Sequence, residues 1–191
     1  LFYFDKTLKR LNIYYKKYKL LDKTQLINGE KIPSALKLMS KINWEWISDG
    51  IPSQFHGDLQ FENILFSKKN FFKLIDWRQD FSGNLNYGDI YYDLAKLNGG
   101  IYVSYQNIKK NLFNYQKKTN DIILSTKTNR FLKESKKKFD HFVKIKNFDK
   151  RKIEILTGII FLNMAAMHHE PFDHFIYNFG KVQINKWINL E

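Results

Sequence analysis

The 191-residue sequence predicts one α+β domain, mainly helical, with a small β-hairpin that carries a polar loop. Three observations predict it. Apolar residues recur at helical spacing over most of the chain. A polar loop around His56 to Asn63 leads into two short apolar runs separated by a lysine-rich turn. Hydrophobic residues at 43% and aromatics at 17% supply the core that a disordered chain lacks.

Taken in order, residues 2 to 21 place Phe4, Leu8, Leu11, Tyr15 and Tyr18 at helical spacing with lysines between them, an amphipathic helix. Asn28-Gly29 marks a turn. Pro33 suits the first turn of a second helix running to about Ile47, with Leu36, Met39, Trp44 and Ile47 on its buried side. Asp49-Gly50 and Pro52 stop it. Phe61 and Ile64-Leu65-Phe66 make one strand of the hairpin, and Phe71 to Ile75 the other, turning at Lys68, Lys69 and Asn70. Ser82-Gly83-Asn84 and Tyr87-Gly88 form a loop. Asp89 caps a helix from Ile90 to about Leu97, which Asn98-Gly99-Gly100 ends. Further helices are expected over Tyr102–Lys117, Thr128–Val143 and Lys152–Met167, the last started by Asp149 or a neighbour. Pro171 precedes a final segment, Phe172 to Leu190, whose apolar members are Phe175, Phe179, Val182, Ile184 and Trp187.

The hairpin is expected to gather Asp58, Asn63 and Asp76 at one end. Two carboxylates and an amide oxygen are hard ligands, suited to Mg²⁺ rather than zinc. Asp58 and Asn63 stand five apart, a spacing that resembles the catalytic loop of protein kinases.

His56-Gly57-Asp58-x4-Asn63-Ile64-Leu65, then Ile75-Asp76-Trp77, then Tyr87-Gly88-Asp89-Ile90-Tyr91-Tyr92-Asp93-Leu94-Ala95, resembles the aminoglycoside phosphotransferase and choline kinase family. The likeness is close over roughly residues 50 to 100 and looser beyond. His-Gly-Asp stands where protein kinases have His-Arg-Asp, Asp76 is followed by Trp77-Arg78 rather than Phe-Gly, and no Ala-Pro-Glu follows. The resemblance implies the C-terminal (large) lobe of a protein-kinase-like fold, with the hairpin carrying the catalytic and metal-binding loops. It implies that Asp58 orients or deprotonates the attacking hydroxyl. Asn63 and Asp76 would hold Mg²⁺ and, through it, the ATP phosphates. His56, Gly57, Asp89 and Asp93 would shape and brace the loop.

Before residue 55 the chain has neither a Gly-rich phosphate loop nor a Val-Ala-Ile-Lys-like strand; only Gly29 and Gly50 occur, singly. Residues 1–191, beginning at Leu1, are therefore expected to be a single C-terminal catalytic lobe, with the N-terminal lobe outside this chain. The formal net charge of +13 invites a nucleic-acid partner. The lysines, however, are spread among many Asn, Ile, Phe and Tyr, and Lys133 to Lys138 reads as a solvated helix face. No zinc-finger spacing occurs. The absence of cysteine excludes disulfides and cysteine chemistry within the chain. Lysines interrupt any cleavable signal near the N-terminus, and the longest apolar stretch, Ile155 to Met167, falls short of the about twenty residues that span a bilayer. A cytoplasmic protein is expected.

His168-His169-Glu170-x-x-Asp173-His174 is a second cluster of possible ligands, but it lacks the His-Glu-x-x-His order, and Pro171 breaks a helix through it. A packed or substrate-facing turn is the expectation. Trp44, Trp46 and Trp187 are expected in the core rather than in a cation cage, and Trp77 beside the active loop. The expected activity is ATP- and Mg²⁺-dependent phosphoryl transfer to a small-molecule alcohol, a sugar or a choline-like amino alcohol. Aminoglycosides are less favoured, since a polycation needs an acidic pocket and this chain has only 19 carboxylates. The alternatives are a catalytically inactive binding module of pseudokinase type and a basic nucleic-acid-binding domain.

Overall fold

The computed structural model describes residues 2–69 and 71–190. The architecture is α+β, with 52% of residues helical and 15% in strands. Four helices make the centre: α1 (Phe2–Tyr18), α4 (Ile90–Tyr102), α7 (Lys150–Ala165) and α8 (Phe172–Ile188). Short helices α2 (Ala35–Met39), α3 (Trp44–Ser48) and α5 (Tyr105–Lys109) and the longer α6 (Arg130–Ile145) surround them.

Helix α7 is buried on almost every side, which is why its sequence is apolar without an amphipathic stripe. It packs on α8 most closely at Gly158 and Gly180. A Cβ on Gly180 would lie 2.8 Å from the Gly158 carbonyl oxygen, so the two backbones meet where side chains are missing. No helix among the described residues is long and apolar enough to cross a membrane.

The strands form three groups. Strands β1 (Gln25–Ile27), β2 (Glu30–Ile32), β7 (Phe113–Lys117) and β8 (Ile122–Thr126) make a four-stranded sheet in the order β2-β1-β8-β7. Strand β3 (Pro52–Ser53) pairs with β6 (Gly88–Asp89), and β4 (Ile64–Phe66) with β5 (Phe72–Leu74). The β4–β5 register sets Ile64 opposite Leu74 and Phe66 opposite Phe72, and the chain turns at Lys68-Lys69. Asn70, the third expected turn residue, lies outside the described residues, as does Leu1. Phe61 sits in a 3-10 turn over Phe61–Asn63 rather than in the strand.

Four further expectations are corrected. The helix expected from Pro33 to Ile47 is two helices, because Asn43 caps a new one by accepting the Trp46 N–H at 3.0 Å. Pro33 stands just before the cap, Ser34, and Leu36 is exposed. The helix expected over Tyr102–Lys117 stops at Lys109. Asn111 turns the chain at φ +51°, and Phe113 then packs on Phe172 and Phe175 as the start of β7.

The four-stranded sheet is itself unexpected, since Asn28-Gly29 was expected as a bare turn. Asn28 joins β1 to β8 through its side chain, donating to the Leu124 carbonyl at 3.0 Å and accepting its N–H at 2.8 Å. Lastly, α4 runs through Asn98-Gly99-Gly100 to Tyr102. Asn98 is held there by bonds of 3.0 Å to Glu154 and Thr157, and Gly99 lies against Phe161. Tertiary packing overrides the weak helix propensity of that triplet.

Candidate functional site

The loop from Phe55 to Asp58 follows β3 and runs over the N-terminal half of α4. Asp89 caps that helix by accepting the Tyr91 N–H at 3.0 Å, and its other oxygen receives the Tyr3 hydroxyl at 2.6 Å. One turn on, Asp93 points at the loop. Its carboxylate accepts the His56 N–H at 2.6 Å and the Gly57 N–H at 2.8 Å. Burial pushes the Asp93 carboxyl up, and these two bonds pull it back toward the ionised form. Gly57 has φ +78°, and a Cβ there would lie 2.5 Å from that of Arg78, so the tight passage requires glycine.

His56 ties this loop to the segment before Asp76. The Asp58 N–H donates to Nδ1 at 3.2 Å, which makes Nδ1 the unprotonated nitrogen. Nε2 therefore carries the proton and donates to the Ile75 carbonyl at 2.8 Å. The Ile75 N–H in turn donates to the Asn63 carbonyl at 3.0 Å, and the Arg78 N–H to the His56 carbonyl at 2.9 Å. Ile75 is thus held at both its backbone ends. Trp77 lies beside this junction, its ring centroid 4.8 Å from that of His56.

Asp58 is half-buried. The Lys96 ammonium of α4 lies 2.5 Å from its Oδ1, a close ion pair. Asn63 donates from Nδ2 to the Asp58 carbonyl at 2.9 Å and, more weakly, to Oδ2 at 3.4 Å. Since a carbonyl can only accept, the amide orientation is settled and Asn63 Oδ1 is the uncommitted atom. Asp76 is exposed at φ +59°, and its side chain makes no hydrogen bond among the described residues. Asp58 and Asn63 are therefore in direct contact, while Asp76 is brought near them through Ile75 and touches neither through its side chain.

Among the described residues no three His, Cys, Asp or Glu side chains converge to hold a metal ion. What the loop offers is Asn63 Oδ1 and the Asp76 carboxylate, oxygen atoms without another partner among the described residues. That set fits Mg²⁺, which keeps several waters and takes few protein ligands alongside phosphate oxygens.

The His168–His174 stretch is a structural tie. Asp173 is fully buried, accepts from the Tyr18 hydroxyl, and meets Lys17 Nζ at 3.1 Å. Lys17 also donates to the His168 carbonyl at 2.6 Å, and Tyr14 and His174 share a 2.5 Å hydrogen bond. Trp44 packs edge-on to Phe4, Trp46 lies under Lys152, and Trp187 lies under Lys150, each in separate surroundings.

Sequence reasoning missed Lys96, and with it Lys6, Arg10 and Arg78, which gather beside it. The signal was present. Asp89, Asp93 and Lys96 recur at helical spacing on α4, so the face that braces the loop also carries a cation toward Asp58. Compared with known proteins, the chain matches no family model, no curated protein and no solved structure.

Proposed function

We propose that this chain is the C-terminal catalytic lobe of a kinase-like phosphotransferase that moves the γ-phosphoryl group of ATP to a hydroxyl of a small molecule. The observation that carries the reading is the coupling of two segments. The His56 imidazole, which donates to the Ile75 carbonyl, and two main-chain hydrogen bonds, Ile75 N–H to the Asn63 carbonyl and Arg78 N–H to the His56 carbonyl, bind the Asp58 loop to the Asp76 segment. A carboxylate for the acceptor and oxygens for a metal nucleotide are thereby held on one support, as positioning catalysis requires.

In the reaction the acceptor oxygen bonds to the γ-phosphorus while the bond from that phosphorus to the β,γ-bridging oxygen breaks, releasing ADP. Asp58, ion-paired with Lys96, orients the hydroxyl and takes its proton as the new bond forms. Asn63 and Asp76 would hold Mg²⁺, which when bound neutralises charge on the phosphate oxygens. We place this activity in the cytoplasm, where ATP and Mg²⁺ are at hand.

The test is Mg²⁺-dependent ATP consumption by the full-length protein against a panel of sugars, sugar phosphates, choline, ethanolamine and aminoglycosides. Stimulation by one acceptor class that disappears in Asp58→Asn, with ATP binding retained, is the expected result. Undiminished turnover in Asp58→Asn would remove Asp58 from the mechanism.

A further inference from the structure

Across Lys96 from Asp58 lies a small cavity of about 120 Å³, whose wall of aromatic and apolar side chains from α1, α4 and α7 also carries Lys6, Arg10, Arg78, Lys96 and Asn163. It has room for a few waters or one compact ionic group. Four cations converge there. Only Lys96 has a carboxylate partner, Asp58; among the described residues Lys6, Arg10 and Arg78 form no ion pair. Two of them, Lys6 and Arg78, lie over aromatic faces. Lys6 lies over the rings of Phe2 and Tyr92, 5.0 and 5.5 Å from their centroids, and Arg78 lies 5.4 Å from that of Tyr92.

This is unlike the other inward-facing cations. Lys136 meets Asp140 and Glu154, Lys17 meets Asp173, and Lys152 donates to the Asp49 carbonyl. The crowding is felt at Lys6. Burial first, then the charges of Arg78, Arg10 and Lys96, lower its pKa to about 8 against the opposing pull of Asp58.

A second feature points to a ligand. Asn163 is 8% exposed, and its Nδ2 donates to the Ile159 carbonyl and to Thr7 Oγ1, both at 2.8 Å. The carbonyl fixes the amide orientation, and Asn163 Oδ1 is left buried with no hydrogen-bond donor among the described residues. The cavity therefore presents cations for an anion, beside a wall residue, Asn163, whose buried amide oxygen is unsatisfied among the described residues.

We infer that this cavity binds the anionic group of the acceptor, so that the substrate is a hydroxyl compound bearing a phosphate or carboxylate, such as a sugar phosphate or a sugar acid. The acceptor role rests on the phosphotransferase reading; the anion site stands without it. Choline and aminoglycosides, being cations, are repelled from the same place. Lys96 links the two functions, since it lines the cavity and pairs with Asp58. An anion that draws Lys96 toward itself leaves the Asp58 carboxylate open to the hydroxyl that is to react.

The test has two arms on the full-length protein at low ionic strength. In the first, calorimetry measures binding of inorganic phosphate, glucose 6-phosphate, gluconate and glucose to the wild type, Lys6→Gln, Arg10→Gln and Asn163→Asp. Circular dichroism confirms that each variant is folded, and Arg10→Lys serves as the conservative rescue. Binding of the anions but not glucose, weakened roughly tenfold by each charge-altering variant and largely restored in Arg10→Lys, is expected. Equal phosphate affinity in the wild type and all folded variants, or none in any, would overturn the site.

In the second arm, ATP consumption is followed with the same compounds and with choline. Stimulation by an anionic acceptor, lost in Arg10→Gln through a raised KM, supports the inference. Stimulation by glucose or choline alone overturns it and keeps the phosphotransferase reading. Anion binding that passes the first arm without turnover by any acceptor keeps the site and overturns that reading.

Discussion

Asp93, thirty-seven residues after His56, accepts the backbone N–H of His56 with one carboxylate oxygen and that of Gly57 with the other. A single side chain thereby sets the entry to the polar loop. Removing it would strand two buried donors, each costing about 1–3 kcal/mol. Asp93→Ala is expected to lose roughly 2–5 kcal/mol in urea unfolding, and Asp93→Asn, which keeps one acceptor oxygen, less. Equal stability of Asp93→Ala and wild type would show that the loop is held from elsewhere.

Asp76 separates stability from activity. It is exposed, unpartnered among the described residues and left-handed at φ +59°, a conformation that glycine adopts without strain. Asp76→Gly is expected to hold or raise stability by up to about 1 kcal/mol, while the Mg²⁺ concentration for half-maximal ATP consumption rises at least about tenfold. A variant that loses stability but keeps its Mg²⁺ dependence would assign Asp76 a structural role instead.

Lys181 is fully buried, with Gln25 Oε1 at 3.1 Å, the Lys23 carbonyl at 3.4 Å and the Tyr177 ring as surroundings. Burial lowers its pKa to about 8, against the pull of Asp22. In the unfolded chain the value is near 10.5, so between these limits the unfolded state holds more protons and native stability rises with pH. Below about pH 8 both states are protonated and the cost of the buried charge is present in full. Lys181→Met is expected to gain roughly 1–3 kcal/mol at pH 7 and to lose most of the rise from pH 8 to 10. Lys6 is lowered to a similar value and contributes in the same window, so the difference between wild type and Lys181→Met isolates Lys181. An identical pH profile in the two proteins would refute the assignment.

Glu154, 1% exposed, accepts from Asn98 at 3.0 Å, Tyr102 at 3.1 Å and Gln183 at 2.5 Å, and is paired with Lys136 at 2.8 Å. Lys136→Met leaves that carboxylate buried without a cation, and a loss of about 3 kcal/mol is expected. Adding Glu154→Gln to the same protein should recover most of it. Additive losses in the double variant would mean that the pair is not coupled.

Much of the helical frame was legible because its signals are local. Asp89 and Asp149 cap the helices they were expected to start, each accepting an N–H of the first turn at 3.0 Å. Phe66 and Phe72 pair across a hairpin whose lysine turn is visible in the chain. The four-stranded sheet was not legible. Phe113-Asn-Tyr-Gln-Lys alternates too weakly to declare a strand, and it becomes one by packing Phe113 on α8 and pairing with Ile122–Thr126. At the loop, the residue types of His56, Asp58 and Asn63 could be read, and so could the bracing role suggested for Asp93. The spacing of Asp93 and Lys96 on one face of α4 could have pointed Lys96 at the loop, but the approach of Lys6 and Arg10 to Arg78 and Lys96 depends on the angle between α1 and α4, which no local pattern encodes.

Ile75 is itself on the surface, and its side chain has no part in the ties that fix it. Those ties use its N–H and C=O, atoms common to every residue but proline, which lacks the first. On the Asp76 side the spacing between the two segments is therefore recorded in main-chain atoms, where exchange of the Ile75 side chain leaves no mark, while on the loop side it rests also on the His56 imidazole. Drift at position 75 can alter solubility or hydration while the alignment of the loop persists, and only proline there would erase it.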